Sequence, residues 1–246
     1  MNKLSELLKS FSQKNREFRS RFQDFSLLAK NESRQFELSW KDRLPCLKDN
    51  LTKSPFDPHY IYHTAWAIQR VREIAPKEHI DIGSFLYFAT LLSASIPTAF
   101  YDYRPVDIKL NNYRTGKADL LNLPFPSDSI MSLSCLHVIE HIGLGRYGDP
   151  LDYNGDDKAM TELERVLSPG GNLLFVVPLG RPRIQFNAHR IYSFDQIKES
   201  FCALILKEFS LIPDNAIETG ILSPGDPAMA NQQHYACGCF WFQKSQ

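Results

Sequence analysis

The stretch His79-Ile80-Asp81-Ile82-Gly83-Ser84 decides the fold. A short, largely apolar run ends in glycine, and the helix-compatible segment Phe85–Ser93 follows. A buried strand that turns through glycine into a helix is the opening of a parallel crossover, because parallel strands need a long connection between them. The same alternation continues outward. Strands are predicted at His79–Ile82, Thr98–Tyr101, Ala118–Leu120, Ile130–Leu136 and Asn172–Val177, with Phe85–Ser93 and Asp156–Leu167 as crossover helices. Ala203–Phe209 and Tyr235–Phe242 read as two further strands, the last returning antiparallel at the sheet edge. The expected fold class is α/β: a Rossmann-like, seven-stranded, mostly parallel sheet with helices on both faces.

Upstream, residues 1–59 differ in character and read as a helical N-terminal extension to a domain spanning 60–246. Leu4, Leu8, Phe11, Asn15, Phe18, Phe22 and Phe25 recur in steps of four and three, an apolar stripe with one polar member. Such a stripe suits a helix laid on its own domain; the other reading is a homodimer through this helix, with Asn15 fixing register. Pro45, Pro55 and Pro58 break the pattern, and a second helix is predicted over Tyr60–Ile74.

The 28 basic and 28 acidic residues of the 246-residue chain cancel, which disfavours a nucleic-acid partner and suits a small-molecule acceptor. With 43% hydrophobic residues, 17 of them Phe and 10 Tyr, the chain can fill a sizeable core. No stretch approaches the roughly 20 apolar residues of a membrane span, and the first residues are too polar for a secretory signal. Cys46, Cys135, Cys202, Cys237 and Cys239 form no disulfide framework, so a cytoplasmic setting is expected.

Ligands of open α/β sheets bind beyond the carboxyl ends of the strands. Gly83 there permits a tight turn and close approach of backbone to a ligand. Asp102 follows Asp81 by 21 residues, near the spacing at which an acid meets ribose hydroxyls in dinucleotide folds. Asp119, beside Leu120 and followed by Leu123-Pro124-Phe125, suits an adenine amino group and ring.

Four segments, DIGS, YDYR, ADLLNLPFPSDSIMSLSCLHVIEHI and ELERVLSPGGNLLFVVP, resemble class I S-adenosylmethionine-dependent methyltransferases over roughly residues 79–180. More narrowly, HVIEHIGLGRYGDPLDYNGD with FNAHRIYSF resembles an uncharacterised methyltransferase-like family first catalogued from nematode sequences. The resemblance implies S-adenosylmethionine as cofactor. It assigns Asp81, Gly83 and Ser84 to the first binding motif, Asp102 with Tyr103 to the ribose, Asp119 and Leu120 to the adenine, and Leu136 and His137 to the pocket wall. Phe85-Leu86-Tyr87-Phe88 stands where the resembling enzymes carry further glycines. That departure motivates a second reading, a non-catalytic methyltransferase-fold scaffold or binding protein.

Two histidines and an arginine are the candidate catalytic groups. His141 or His189 would take a proton from an acceptor hydroxyl, and Arg190 would orient the acceptor through its planar donors. The acceptor expected is small and hydroxylated, a sugar or glycan being one such class. His137-Val-Ile-Glu140-His141 also matches an inverted zinc-protease signature, but that needs both histidines on one face of a long helix, and Gly143 and Gly145 follow at once. Neither this motif nor Cys237-Gly-Cys239, too closely spaced on a strand-like segment, argues for metal, and no metal site is expected. The glycine-rich connection Gly143–Gly155 reads as a mobile lid or binding loop.

Overall fold

The computed structural model describes residues 3–30, 32, 34 and 36–246, with side chains from residue 11 onward. The chain divides into two compact units, Met1–Pro55 and Phe56–Gln246. No helix among the described residues is long and apolar enough to cross a membrane.

The first unit is built on helix α1 (Lys3–Ala29). Asn15, Phe18 and Phe22 are the half-buried members of its stripe. Trp40, in a single 3₁₀ turn, covers the two phenylalanines: its ring meets Phe22 edge-on at 5.0 Å and Phe18 at 6.0 Å, and the Arg43 guanidinium stacks on it at 4.5 Å. Phe11 and Phe25 remain 63% and 60% exposed, since one indole spans only about two turns of a helix. The side chains of Leu4 and Leu8 lie outside the described residues.

The second unit opens with helix α2 (Pro58–Ile74). The Asp57 carboxylate accepts from the amides of His59 and Tyr60 at 3.0 and 3.4 Å, Pro58 takes the first helical position, and Ala75 closes the helix in the left-handed region. The proline and its capping acid start the helix two residues earlier than predicted.

There follow β1 (His79–Ile82), α3 (Leu86–Ser93), β2 (Thr98–Asp102), β3 (Tyr113–Lys117), β4 (Ile130–Leu136), α4 (Gly155–Val166) and β5 (Leu167–Leu179). After them come β6 (Arg183–Gln185), β7 (His189–Ile191), α5 (Phe194–Ser200), β8 (Leu204–Ile212), the short helices α6 (Ala216–Thr219) and α7 (Pro227–Gln232), and β9 (Ala236–Lys244). Seven strands form one sheet in the order β3-β2-β1-β4-β5-β9-β8. The first five run parallel, and β9 is antiparallel to both β5 and β8. β9 thus sits inside the sheet, with β8 at its edge. The expected Rossmann-like sheet is present, and β6 and β7 add a separate hairpin.

The third strand differs from expectation. Ala118–Leu120 is a turn in which Asp119 accepts from the Leu121 amide at 2.9 Å, and the edge strand is Tyr113–Lys117. Ala118 and Leu120 are buried in the core on either side of exposed Asp119, so the segment reads as a strand in sequence, although beyond the Ala118 amide, which donates to the Asp102 carbonyl at 3.1 Å, the chain turns.

Alternation along the strands fills both faces. Leu173, Phe175 and Val177 pack with Leu163 of α4, Ile197 of α5 and Phe201 just beyond it. Leu174 and Val176 face the other way, toward Trp66, Ala67 and Val71 of α2 and Phe88 and Leu92 of α3. Each of the leucine, valine, isoleucine and phenylalanine side chains among them contributes roughly 1.5–3 kcal/mol on burial.

One line of polar groups crosses this core. Ser132 meets His79 Nδ1 and Ser134 meets His79 Nε2, each at 2.8 Å. Ser134 also donates to Asp81 Oδ1, Ser84 donates to the same oxygen at 2.6 Å, and the Leu136 amide donates to Ser84 Oγ at 3.0 Å. Because the Ser134 proton goes to the carboxylate, His79 Nε2 must carry the hydrogen toward Ser134, and Nδ1 accepts from Ser132. Burial holds His79 neutral, its pKa lowered to about 3.

Candidate functional site

A cavity of about 200 Å³ opens at the carboxyl ends of β1, β2 and β4, lined among others by Gly83, Asp102, Asp119, Leu120, Val138 and His141. Gly83 sits at φ +69°, and a Cβ there would lie 3.0 Å from Val138 Cγ1 and 3.7 Å from Asp102 Oδ2. Glycine therefore keeps the cavity floor open and meets the left-handed backbone without strain. Asp102 Oδ1 accepts from the Arg104 amide at 2.7 Å, which fixes the carboxylate, while Oδ2 is turned toward Gly83. Tyr103 and His137 also line the cavity.

Three residues expected to bind cofactor stand one layer lower. Asp81, Ser84 and Leu136 are 0%, 4% and 1% exposed and do not line the cavity; they are tied to one another by the buried polar line. Burial pushes the Asp81 carboxyl up to about 7, against the lowering effect of the Ser134 and Ser84 hydroxyls. Phe85 and Tyr87 point neither into the cavity nor into the core. They are 43% and 66% exposed, and Phe85 packs edge-on against Tyr60 at 5.2 Å.

The segment after β4 is the most constrained of the site. His137 adopts φ +58°, a conformation uncommon for a residue with a Cβ. Its Nδ1 pairs with Glu140 Oε1 at 2.7 Å, with both side chains nearly inaccessible. Burial pushes the Glu140 carboxyl up, and the neighbouring His137 and His141 rings together with its hydrogen bonds leave it below the usual range. His141 Nδ1 lies 2.6 Å from the Ala188 carbonyl. A carbonyl can only accept, so Nδ1 carries the hydrogen and Nε2, 3.8 Å from Glu140 Oε1, keeps a lone pair. Burial lowers the His141 pKa, which favours this neutral form.

His189 does not line the cavity. Its Nε2 pairs with Gln185 Oε1 at 2.6 Å, and its ring stacks on Tyr235 at 4.9 Å, 6.4 Å from the ring of His141. Arg190 does not reach an acceptor either. It is 5% exposed, donates to the carbonyls of Ile142 at 2.6 Å and Tyr153 at 3.0 Å, and pairs with Asp156 at 3.3 Å. Its donors are committed to holding the ends of the Gly143–Gly155 connection together, so it is a structural clamp.

That connection is stitched down along its length. The Asp149 carboxylate accepts from the amides of Gly143, Tyr147 and Gly145 at 2.8, 3.2 and 3.3 Å. A Cβ on Gly143 would collide with the Asp152 carbonyl. The glycines of this connection permit the close turns across which the Asp149 carboxylate bonds.

Beside the cavity lies a group of rings that sequence spacing did not join. His59 stacks on His137 at 5.4 Å and on Tyr235 at 5.1 Å, and His63, one turn further along α2, lies 5.2 Å from His137. Burial, then the neighbouring His137, lowers the His59 pKa to about 4, and the same causes hold His63 well below its usual value. Cys237 at the start of β9 is fully buried. These residues come from three distant segments, and only the sheet order brings them together.

Residues 126–213 match the family model DUF268, "Caenorhabditis protein of unknown function". Over 86 residues the chain is 33% identical to a UDP-N-acetylglucosamine–N-acetylmuramyl-(pentapeptide) pyrophosphoryl-undecaprenol N-acetylglucosamine transferase from Wolbachia pipientis wMel, and equally to that of Wolbachia sp. subsp. Drosophila simulans (strain wRi). This covers 34% of the chain and 25% of each enzyme, so the chain spans about a quarter of the length of these curated relatives. Among solved structures it is similar to the N-methyltransferase NodS from Bradyrhizobium japonicum WM9 in complex with S-adenosylhomocysteine. The TM-score is 0.53 at 14% identity, over 77% of this chain and 88% of that one. It is also similar to the Burkholderia thailandensis 1,6-didemethyltoxoflavin-N1-methyltransferase, at TM-score 0.52 and 11% identity, over 97% and 90% of the two chains. The fold is that of the class I methyltransferases. In this methyltransferase fold the cavity, Asp102 and His141 all stand at the carboxyl ends of the parallel strands, where an open α/β sheet places its ligands.

Proposed function

We propose that this chain uses S-adenosylmethionine to methylate a small hydroxylated acceptor, of the sugar or glycan class, through a domain spanning residues 60–246. The observation that carries this reading is the grouping of Gly83, Asp102 and Asp119 around one cavity. The residues present fit the cofactor. Gly83 leaves the floor clear, the Asp102 carboxylate keeps lone pairs that can accept from ribose hydroxyls, and Asp119 beside buried Leu120 suits an adenine. The aromatic side chains that replace further glycines are turned outward, so the scaffold reading loses the feature that motivated it.

When bound, S-adenosylmethionine supplies an electrophilic methyl group on a sulfonium sulfur. The chain's own part is to position the acceptor, exclude water and take up a proton. His141 Nε2 holds the lone pair that receives the acceptor hydroxyl proton, and the Ala188 carbonyl fixes the ring for that task. The glycan class is supported by the partial likeness to enzymes named for N-acetylglucosamine transfer.

The test is calorimetric titration of the full chain with S-adenosylmethionine and S-adenosylhomocysteine, beside Asp102→Ala. Micromolar binding, weakened about 10- to 100-fold by Asp102→Ala, is the expected result, since hydrogen bonds to a charged group are worth about 1.5–3 kcal/mol. Folded protein that binds neither compound would overturn the reading.

A further inference from the structure

The imidazoles of His59 and His137 and the thiol of Cys237 converge from the start of α2, the end of β4 and the start of β9. Their ligand atoms all lie within 4.8 Å of one another. We propose that these three residues bind a divalent transition-metal ion of the zinc type, leaving its fourth position to water or to an oxygen of a bound molecule.

Tautomer and burial support the assignment together. His137 is 9% exposed, its Nδ1 is engaged by Glu140, and its Nε2 is buried with no hydrogen-bond partner. An ionised carboxylate accepts only, so Nδ1 carries the hydrogen and the Nε2 lone pair is directed away from Glu140. A carboxylate behind a histidine in this way is the arrangement that orients metal-ligating imidazoles. Leaving a buried nitrogen unpartnered is unfavourable, and a metal–nitrogen bond removes that cost. The left-handed backbone of His137 is a further strain spent on aiming this one ring.

The donor set selects the ion. Two imidazoles and one thiolate are borderline-to-soft ligands that suit zinc or cobalt and disfavour magnesium or calcium. Tetrahedral ligands at about 2.0–2.3 Å from zinc stand roughly 3.3–3.8 Å apart, so side-chain adjustments of about an ångström close the site. His63, with both ring nitrogens buried and unpartnered, stands beside His137. The arrangement differs from the inverted zinc-protease pattern of HVIEH, because His141 Nδ1 is spent on Ala188 and the partners of His137 come from 78 residues upstream and 100 downstream.

The experiment uses the full chain, freed of metal with chelator, loaded with Zn²⁺ and passed through gel filtration before elemental analysis. One equivalent of zinc per chain is expected, falling at least tenfold in Cys237→Ser and in His59→Gln, with Asp102→Ala retaining it. Loading with Co²⁺ gives a second readout that needs no variant: a thiolate-to-cobalt charge-transfer band and intense visible bands of a tetrahedral site. Substoichiometric zinc in folded wild type, full zinc in folded Cys237→Ser, or bound cobalt without a thiolate band would each overturn the proposal. Metal content does not depend on methyl transfer, so this site and the cofactor reading fail separately.

Discussion

The guanidinium of Arg104 lies 4.6 Å from the ring centroid of Tyr147, joining the end of β2 to the glycine-rich connection beside the cavity that both residues line. Arg146 stands 5.1 Å from the same ring, and His141 meets it edge-on at 5.7 Å. A partly desolvated cation–π contact is worth about 1 kcal/mol, or fivefold in affinity. Tyr147→Ala should therefore weaken S-adenosylhomocysteine binding about fivefold, while Tyr147→Phe stays within twofold. Unchanged affinity in the alanine variant would show that this wall takes no part in holding the ligand.

Gly83 and Phe85 make opposite predictions two residues apart. Gly83→Ala places a methyl group on a left-handed backbone and against Val138, so cofactor affinity should drop at least tenfold. Phe85→Ala removes a ring that packs on Tyr60 outside the cavity, and affinity should stay within twofold. Calorimetry on the pair decides; a large loss in Phe85→Ala would put that ring in the binding site after all.

Arg190 should matter for stability. Arg190→Met strips three carbonyls of a buried donor and leaves Asp156 without its cation, a loss of about 3–5 kcal/mol. For a domain of this size that lowers Tm by roughly 10 °C. Arg190→Lys should recover less than half of it, because an ammonium lacks the planar fork. Thermal unfolding followed by circular dichroism gives the answer, and a variant as stable as wild type would refute the clamp.

Asp81 gives the fold a pH dependence. Its carboxyl rises to about 7 through burial, from an ordinary value near 3.8. Between those values the folded chain binds the proton that the unfolded chain has released, so stability falls as pH rises through this window. The contribution is fully present below pH 4 and lost above pH 7, on the order of 4 kcal/mol. Asp81→Asn cannot ionise, so the Tm of wild type relative to this variant should decline from pH 5 to pH 8. A difference that does not vary with pH would exclude the buried carboxyl as its source.

Strands β1 and β4 have the bounds read from sequence, because each is a buried run ended by a sharp turn. β3 escaped because Tyr113-Arg-Thr-Gly-Lys117 is a half-exposed edge with no apolar pattern. β5 is longer than read: Ser168-Pro169-Gly170-Gly171 has turn composition yet continues the strand, with Leu167 paired to Ile130. Asp102 and Asp119 could be placed at the cavity from sequence because each lies at or just beyond the carboxyl end of a strand. His59 and Cys237 could not, since their meeting depends on β9 returning inside the sheet and on where α2 lands. Arg190 was misread because a loop arginine looks the same in sequence whether its fork holds a ligand or three backbone carbonyls.

The polar line through the core acts as a key between two strands. β1 and β4 face each other at Ile80–Leu133 and Asp81–Ser134, and apolar side chains alone would accept a slide of two residues. The hydroxyls of Ser132, Ser134 and Ser84 would lose their partners in such a slide. It would carry Gly83 roughly 6–7 Å past His137. The breadth of the cavity is thus gauged from beneath, by a histidine, an aspartate and three serines that never touch what the cavity holds.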